Sequence, residues 1–528
     1  MICNNCNKEI ADGSAFCPEC GATCTAPAAN NGGAGVQDVM NKVKDTFNGL
    51  SENTKKGIKL GLAAVAAVLV LWFVIGLFDK GPFKLIKYDN KGYYWYASEE
   101  KMINVKGTIV EVDEGIADWN YSADYTLTVV EDEDDTLWFI DGKKLKEIDE
   151  EVFGYRISMY GDAIAYMKDV KDEIGDLYWF DVSKGKSVKV AGDVYCYNYV
   201  ISPDGNHVAY IGECDIETVE DDWGYEYEEL ELGELYVSKK GKEGKEISKD
   251  AVPVAVSDGG KYVYYIKDGE KFYMNDEKIE SGLDEDSRIY FTENCKEVLY
   301  TNEDGDTMYY RAKKDPVKVK GDSCGGPLTP GNVVCQYSSG AYIYAMDSFN
   351  ESVINMGGDY YYMYKKGEEV DKIVSSGGYA VRMSEDGQSL VYIDDGDIKY
   401  VKKIKKNAKV KEIGGDDPEA TGLVASKDLK EIYFRNEDGD ICYAKKNKSV
   451  EVWDDDYEDI LYSEKYECLY IVNEDNELFH VTKKGKASDV ADDVVSVWSC
   501  GESVFYTDDD DADFKLKSKK KGKEFFED

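Results

Sequence analysis

Four cysteines near the start of the chain have the spacing of a metal site. Cys3, Cys6, Cys17 and Cys20 form the pattern C-x2-C-x10-C-x2-C. Zinc prefers four thiolates in a tetrahedral arrangement, and each C-x2-C pair supplies two of them from one tight turn. Because so short a segment has almost no hydrophobic core, the bound metal must supply its folding free energy. The pattern therefore predicts a structural zinc ion held by these four residues.

Two other uses of paired cysteines fit this segment less well. Disulfides are rare in the cytosol, where the orientation argued below places it, and a redox C-x-x-C needs a longer, thioredoxin-like setting. The stretch MICNNCNKEIADGSAFCPECGA resembles the small zinc ribbon at the N-terminus of many bacterial membrane proteins. This resemblance covers residues 1–22 and implies a structural zinc and a protein-docking module, not catalysis. We assign the zinc ribbon to residues 1–24, with Cys24 as a free thiol outside the pattern.

Two elements follow the ribbon. Residues 25–57 form a linker whose start is rich in Ala, Asn and Gly. Its second half, 36–50, has helical apolar spacing and predicts a short amphipathic helix that lies on the membrane, pairs with a partner helix or acts as a spacer. Residues 58–78 carry no charge from Leu60 to Phe78. At about 1.5 Å per residue this run approaches the ~30 Å of a bilayer core, so it predicts a transmembrane helix.

The charges flanking this helix predict its orientation. Five lysines precede it closely (Lys42, Lys44, Lys55, Lys56 and Lys59), while Asp79, Lys80, Lys84 and Lys87 follow it. Basic residues favour the cytoplasmic side. Residues 1–20 are polar and cysteine-rich, unlike a cleavable signal peptide. We therefore predict an uncleaved signal anchor at the cell membrane, with a cytoplasmic N-terminus and an extracytoplasmic C-terminal domain.

The charge balance constrains the partners. The chain has 528 residues and a net charge of −42, and its first 60 residues are neutral, so all of the excess lies in the remainder. Such a surface repels nucleic acid and anionic lipid headgroups, which excludes nucleic-acid binding as a function. It suits a soluble domain, or one that meets cations or basic partners.

Residues 120–528 repeat one pattern of short strands and turns. The clearest copy is ISPDGNHVAYI at 201–211, and others begin at Val256, Met383 and Ala425. Each copy continues through an acidic turn, a second Tyr- and Val-rich run, a lysine-rich turn and a last run. Serines recur at 158, 202, 257, 384, 426 and 463, roughly the spacing of propeller blades. One such sheet cannot bury both faces, but a ring of such sheets does so. We count about ten units, more than the 4–8 blades of typical propellers, so some units are incomplete blades, the ring is large, or there are two rings.

The S-P-D-G-x-x-apolar-A-Y repeat resembles the blades of TolB-type propellers and the propeller domains of prolyl-oligopeptidase-like enzymes. This resemblance implies a β-propeller over 120–528 and a binding surface. Residues 79–119 are then a membrane-proximal segment with the first strands. The predicted fold class is mainly β, a β-propeller-type repeat domain preceded by a single transmembrane helix and a small zinc ribbon.

Catalytic and calcium sites are poorly supported. One G-x-S-x-G match occurs, GDSCG at 321–325, but it lies in a Gly/Pro loop among strand-like runs and not between a strand and a helix. The two histidines, His207 and His480, fall in repeat strands or turns. The acidic runs at 304–306, 395–397 and 508–511 lack full EF-hand spacing and suit hairpin turns.

Eight cysteines lie beyond the anchor. They permit disulfides, with Cys324 and Cys335 as the pair to name, or are buried thiols on strands.

One unit carries an acidic insertion, Cys214–Gly233, with Trp223, Tyr225 and Tyr227. Aromatic residues among carboxylates suit a protein or carbohydrate contact, and a solvated loop is the alternative.

We predict a membrane-anchored binding protein, a sensor or scaffold that is not an enzyme. Its protein partner sits on the propeller face or on this insertion. The alternatives are an extracytoplasmic peptide or glycan hydrolase and a structural envelope protein.

Overall fold

The computed structural model describes most of the chain between residues 94 and 524. The described ranges are 94–98, 101–104, 108–112, 115–220, 226–284, 286–330, 335–338, 340–375, 377–415, 418–419, 423–445, 448–500, 503–508 and 513–524. The chain divides into two compact units, Met1–Lys80 and Gly81–Asp528. The predicted ribbon, linker and anchor lie outside the described residues.

Strands dominate the described residues, so the mainly β prediction is confirmed. Within these ranges the helical content is a single 3-10 turn, Asp258–Gly260. No helix in the described ranges is long and apolar enough to cross a membrane. Residues 58–78, where the anchor is predicted, are not among them.

The first half of the described chain forms a three-stranded sheet and sheets 1–4, named here in chain order. The three-stranded sheet comprises β1 (Tyr94–Ser98), β2 (Lys101–Asn104) and β3 (Ile109–Glu111); sheet 1 comprises β4 (Asp118–Tyr121), β5 (Thr128–Glu131), β6 (Leu137–Asp141) and β7 (Lys144–Asp149); sheet 2 comprises β8 (Val152–Ile157), β9 (Ala163–Lys171), β10 (Ile174–Asp181) and β11 (Lys186–Tyr195); sheet 3 comprises β12 (Tyr199–Ile201), β13 (His207–Gly212), β16 (Glu234–Lys239) and β17 (Lys245–Ser248), with a separate hairpin of β14 (Asp215–Glu220) and β15 (Glu226–Glu231); sheet 4 comprises β18 (Ala251–Val256), β19 (Val263–Lys267), β20 (Lys271–Met274) and β21 (Glu277–Glu280).

Sheets 5–10 complete the described chain. Sheet 5 comprises β22 (Ile289–Thr292), β23 (Glu297–Thr301), β24 (Thr307–Arg311) and β25 (Val317–Lys320), extended by β27 (Cys335–Ser338) and β28 (Ala341–Tyr344); sheet 6 comprises β26 (Cys324–Pro327), β29 (Ser352–Met356), β30 (Asp359–Tyr364) and β31 (Glu369–Val374); sheet 7 comprises β32 (Tyr379–Met383), β33 (Leu390–Asp394), β34 (Asp397–Val401) and β35 (Val410–Gly415); sheet 8 comprises β36 (Val424–Ala425), β37 (Ile432–Arg435), β38 (Ile441–Lys445) and β39 (Lys448–Trp453); sheet 9 comprises β40 (Tyr457–Ser463), β41 (Cys468–Asn473), β42 (Leu478–Val481) and β43 (Asp489–Ala491); sheet 10 comprises β44 (Val494–Cys500), β45 (Ser503–Asp508), β46 (Asp513–Ser518) and β47 (Lys521–Glu524).

Each of these sheets is an antiparallel meander, with two departures. In sheet 3 the β14–β15 hairpin is inserted between the second and third strands. In sheet 6 the β27–β28 hairpin is inserted between the first and second strands and joins sheet 5, where β28 pairs with β22 in parallel. The sequence pattern predicts the first insertion and misses the second.

Consecutive sheets pack face to face. Phe139 of sheet 1 meets Phe180 of sheet 2, with ring centroids 5.4 Å apart, within a shared apolar cluster. Similar clusters join sheets 2 and 3, 3 and 4, 4 and 5, 7 and 8, 8 and 9, and 9 and 10, while one cluster spans sheets 5–7. Both faces of a sheet are covered, so its second strand is deeply buried. Every residue of β13 and of β23 is buried, whereas the outer strand β47 is mostly exposed.

Successive strands of each sheet run in opposite directions, so their turns lie at two opposite edges, which we call rims. Three reversals return each sheet to the rim where it began, and the connections to the next sheet are short, such as 150–151 and 492–493. The connections and the hairpins between second and third strands therefore lie at one rim, called the connection rim. The hairpins between third and fourth strands lie at the other, called the lysine rim because most of them carry lysines, as at 402–409 and 483–486.

Candidate functional site

The recurring serines close the first hairpin of the sheets. Ser202 is fully buried; its Oγ accepts the backbone N–H of His207 at 3.0 Å and donates to the Asp204 carboxylate at 2.5 Å. The same hydroxyl–amide bond, 2.9–3.2 Å long, recurs at Ser122, Ser158, Ser257, Thr292, Ser384 and Ser426. These hydroxyls accept hydrogen bonds from buried backbone N–H groups, so the recurring serines stabilise the fold.

These serine turns also lock neighbouring sheets together. Gly205 has a φ of +67°, and a Cβ placed on it would lie 2.8 Å from the Cβ of Ala163 in sheet 2. Its carbonyl accepts a bond from Nε1 of Trp179 at 2.7 Å. On the other side, the backbone N–H of Asp204 donates to the carboxylate of Asp258 at 2.8 Å. The turn of sheet 3 is therefore tied to sheets 2 and 4.

The two histidines lie in the core. His207 is 5% exposed and His480 is 6% exposed. Burial lowers the pKa of both rings, which favours their uncharged form. His207 faces Gly260 of the next sheet, and His480 packs on Tyr470 with ring centres 6.0 Å apart. His207 therefore serves packing between sheets 3 and 4, whereas His480 packs within sheet 9.

The predicted calcium candidates are ordinary hairpin turns where the structure describes them. In the 302–306 turn, Oδ1 of Asn302 accepts the backbone N–H of Asp306 at 2.9 Å. Residues 395–396 form the tight turn between β33 and β34, where Asp394 pairs with Asp397. Among the described residues, no group of three or more His, Cys, Asp or Glu side chains is arranged to hold a metal ion. Residues 509–512 are not described.

The cysteines of the β domain are buried thiols where their side chains are described. Cys196, Cys214, Cys295, Cys324 and Cys468 form no disulfide, and burial raises the pKa of each thiol. The Cys324–Cys335 disulfide candidate is therefore wrong. Cys324 begins β26 of sheet 6, whereas Cys335 begins β27, which belongs to sheet 5.

The acidic insertion builds a cleft against the next sheet. The part of Cys214–Gly233 that is described forms the β14–β15 hairpin, and one of its faces carries Glu217, Val219 and Glu231 by strand alternation. This face and Leu232 lie opposite the beginning of β18 and the end of β19. Together they enclose a cleft of about 660 Å³, lined from the hairpin side by Glu217, Val219, Glu231 and Leu232 and from sheet 4 by Asp250, Ala251, Val252, Ile266, Asp268 and Gly269.

The cleft combines an aliphatic interior with unbalanced negative charge. Glu217 repels the Glu231 carboxylate and shares a hydrogen bond with it, which raises the pKa of Glu231; Asp215 and Asp250 add to the effect. Asp268 is balanced by Lys271, whose ammonium lies 2.6 Å away and lowers the pKa of Asp268. Within the described ranges, no lysine or arginine forms an ion pair with Glu217, Glu231 or Asp250. The arrangement is suited to a cation that brings apolar surface with it.

The zinc candidates Cys3, Cys6, Cys17 and Cys20 lie outside the described residues. Their donor set fits zinc on chemical grounds, because two C-x2-C pairs supply four thiolates. Bound zinc would supply folding free energy to the ribbon.

Comparisons with known proteins identify the N-terminus. Residues 2–23 match the zinc-ribbon domain family, so the chain starts with a zinc ribbon followed by a mainly β repeat domain. No curated protein sequence matches the chain. Two of the solved structures that match the chain resemble it distantly. One is titled as a eukaryotic initiation factor (9% identity, 68% of this chain, 94% of that chain, TM-score 0.38), and the other as the tricorn protease (12%, 76%, 61%, 0.24).

Sequence reasoning finds one wall of the cleft and misses the other. It singles out the Cys214–Gly233 insertion by its length and acidity. Asp250, Val252, Ile266 and Asp268 are missed because they belong to the next repeat and resemble any other turn and strand residues. Strand order could have identified this second wall. An insertion after the second strand of a sheet emerges at the connection rim, and Asp250 and Asp268 lie at the same rim.

Proposed function

We propose that this chain is a membrane-anchored binding protein, a sensor or scaffold whose acidic β domain faces the outside of the cell membrane. The zinc ribbon remains in the cytoplasm, with Cys3, Cys6, Cys17 and Cys20 as zinc ligands. The cleft between the β14–β15 hairpin and sheet 4 is the observation that carries the binding role, because it is a formed concavity with few, converging polar groups. The uncharged run from Leu60 to Phe78 supports the anchor.

We further propose that the four-stranded sheets form a propeller-type ring or pair of rings. Face-to-face packing of consecutive sheets and short connections support this arrangement. In a closed ring every sheet depends on closure, so removing residues 495–528 destabilises sheets far from the cut. In an open array the loss stays local. Hydrogen exchange of sheets 7 and 8 in the truncated and full chains separates these cases, and unchanged exchange there contradicts closure.

The membrane topology is tested by protease accessibility. Protease added to intact cells or protoplasts should digest the β domain and spare an epitope placed in residues 25–35. The control is the same tagged chain treated with protease after lysis, where both the β domain and the epitope should be cut. Protection of the β domain together with loss of the epitope in intact cells would show the opposite orientation. Protection of both parts until lysis would show that neither is exposed.

A further inference from the structure

We infer that the cleft between the β14–β15 hairpin and sheet 4 binds a lysine or arginine side chain presented by a basic segment of a partner protein. This inference rests on the proposed binding function and names the chemistry of its ligand. It identifies the site by residues from two different repeats.

The apolar part of the cleft matches the stem of such a side chain. Val219 and Leu232 line it from the hairpin, and Ile266 lines it from sheet 4, where it pairs with Val252 across the strands. Leu232 is 38% exposed, which is unusual for a large apolar side chain in this fold. Lysine and arginine bury three or four methylenes while keeping their charge at a polar end. A small inorganic cation leaves these apolar walls in contact with water.

The carboxylates of the cleft match the charged end. Glu217 and Glu231 are diagonal neighbours on the same face of the paired strands β14 and β15, and both line the cleft, so a positive group between them relieves their mutual repulsion. Asp250 faces the same space from sheet 4, and Asp268 already has Lys271 as its partner. An ammonium or guanidinium group has several donors and satisfies two or three carboxylates at once.

The surroundings favour a basic partner over the other occupants. The cleft opens at the connection rim, where acidic residues recur in the turns at 132–135, 303–306 and 474–477 and in the connections at 150–151, 454–456 and 492–493. Such a rim attracts and orients a basic surface at long range. A metal ion lacks a suitable group of three ligands in the described residues. A second copy of the chain brings lysine-rich turns but also a net charge of −42, so two copies repel each other overall.

The test measures peptide binding to the full-length chain in neutral detergent. The probe is a labelled octapeptide of alternating lysine and valine, and its counterpart with acetylated lysines keeps the stems without the charges. The cleft variant carries Glu217→Gln, Glu231→Gln and Asp250→Asn. The matched control carries Asp454→Asn, Asp455→Asn and Asp456→Asn, which make the same charge change at exposed positions of the same rim, between sheets 8 and 9. Leu232→Ala tests the apolar wall, and circular dichroism confirms that each variant is folded.

The expected result separates the cleft from general electrostatics. The cleft variant should bind the lysine peptide about tenfold more weakly than the unaltered chain, a loss of roughly 1.4 kcal/mol. The rim control should change binding about twofold or less, because exposed charges act mainly through screened long-range attraction. Leu232→Ala should weaken binding of the lysine peptide, and the acetylated peptide should bind poorly to every form. Added calcium should not compete.

Three results would overturn the inference. Equal loss in the cleft and rim variants would mean that the rim binds the peptide as a diffuse charged surface. Competition by calcium at low concentration would assign the carboxylates to a metal. Absence of peptide binding to the unaltered chain would remove the site, while the protease-accessibility result would still decide the anchoring and topology of the proposed binding protein.

Discussion

The serine turn of sheet 3 offers the most direct test of how the repeat is stabilised. Ser202→Ala removes the Oγ that accepts the backbone N–H of His207 at 3.0 Å and donates to Asp204. Alanine fits the space, because it only removes an oxygen from a fully buried position. The substitution therefore isolates a hydrogen-bonding effect from a packing effect.

The expected magnitude follows from leaving a buried donor without an acceptor. Ser202 and His207 are both buried, so water replaces the lost oxygen poorly. An unsatisfied buried polar group costs about 1–3 kcal/mol. Local opening of the turn should become easier by that amount, which corresponds to roughly 5- to 140-fold faster amide exchange.

Hydrogen exchange with mass spectrometry measures this effect where it arises. Peptides covering residues 200–212 should exchange faster in Ser202→Ala, whereas peptides covering the intact Ser426 turn in sheet 8 should not change. Ser183→Ala is the matched surface control. The exposed hydroxyl of Ser183 bonds to Asp181 at 2.6 Å, and its loss should change stability by less than about 0.5 kcal/mol.

One outcome would refute the reasoning. If residues 200–212 exchange at the same rate in Ser202→Ala as in the unaltered chain, the His207 amide does not depend on the serine hydroxyl. The serine repeat would then be a by-product of turn composition and not the element that stabilises the hairpins. Equal acceleration in sheet 8 would instead indicate global destabilisation.

Three further predictions follow from the ribbon, the interlocked turns and the acidic first sheet. Metal analysis of the full chain should find one zinc ion per molecule, and Cys17→Ser should remove it while circular dichroism of the β domain stays unchanged; zinc retained in the variant would exclude this cysteine as a ligand. Gly205→Ala should lower the thermal unfolding midpoint more than Gly142→Ala: both glycines have a φ of +67°, but a Cβ on Gly205 meets the Cβ of Ala163 at 2.8 Å whereas one on Gly142 meets nothing within 4 Å. Equal shifts would mean that backbone strain alone matters. Burial, helped by three nearby aspartates, raises the pKa of Glu131 from 4.5 to about 7. Because the folded-state pKa is the higher one, the stability from protonation is present below about pH 4.5 and is lost as the pH rises through about 7. Glu131→Gln should therefore flatten the pH dependence of the unfolding midpoint between these values, and an unaltered slope would show that this carboxyl does not contribute.

Local chemistry explains what the sequence determines about this protein. Two C-x2-C pairs ten residues apart define a zinc ribbon without reference to the rest of the chain, because each pair acts within one turn. Alternating strand-like runs with acidic and lysine-rich turns predict repeated four-stranded sheets, since hairpins depend on residues close in sequence. The ISPDGNHVAYI pattern likewise predicts the turn that Ser202 closes, although only the structure assigns its hydroxyl to the His207 amide.

Contacts between repeats were decided by the tertiary structure. The β27–β28 hairpin leaves sheet 6 and joins sheet 5, where β28 pairs in parallel with β22. Cys324 and Cys335 therefore begin strands of different sheets, and Cys324 is a free thiol. The cleft likewise joins Glu217 and Glu231 of one repeat to Asp250 of the next. Turn propensity and strand alternation act over a few residues, whereas the choice of neighbour depends on which apolar faces cover each other across whole sheets. That choice placed the acidic hairpin over sheet 4 and so created the candidate site.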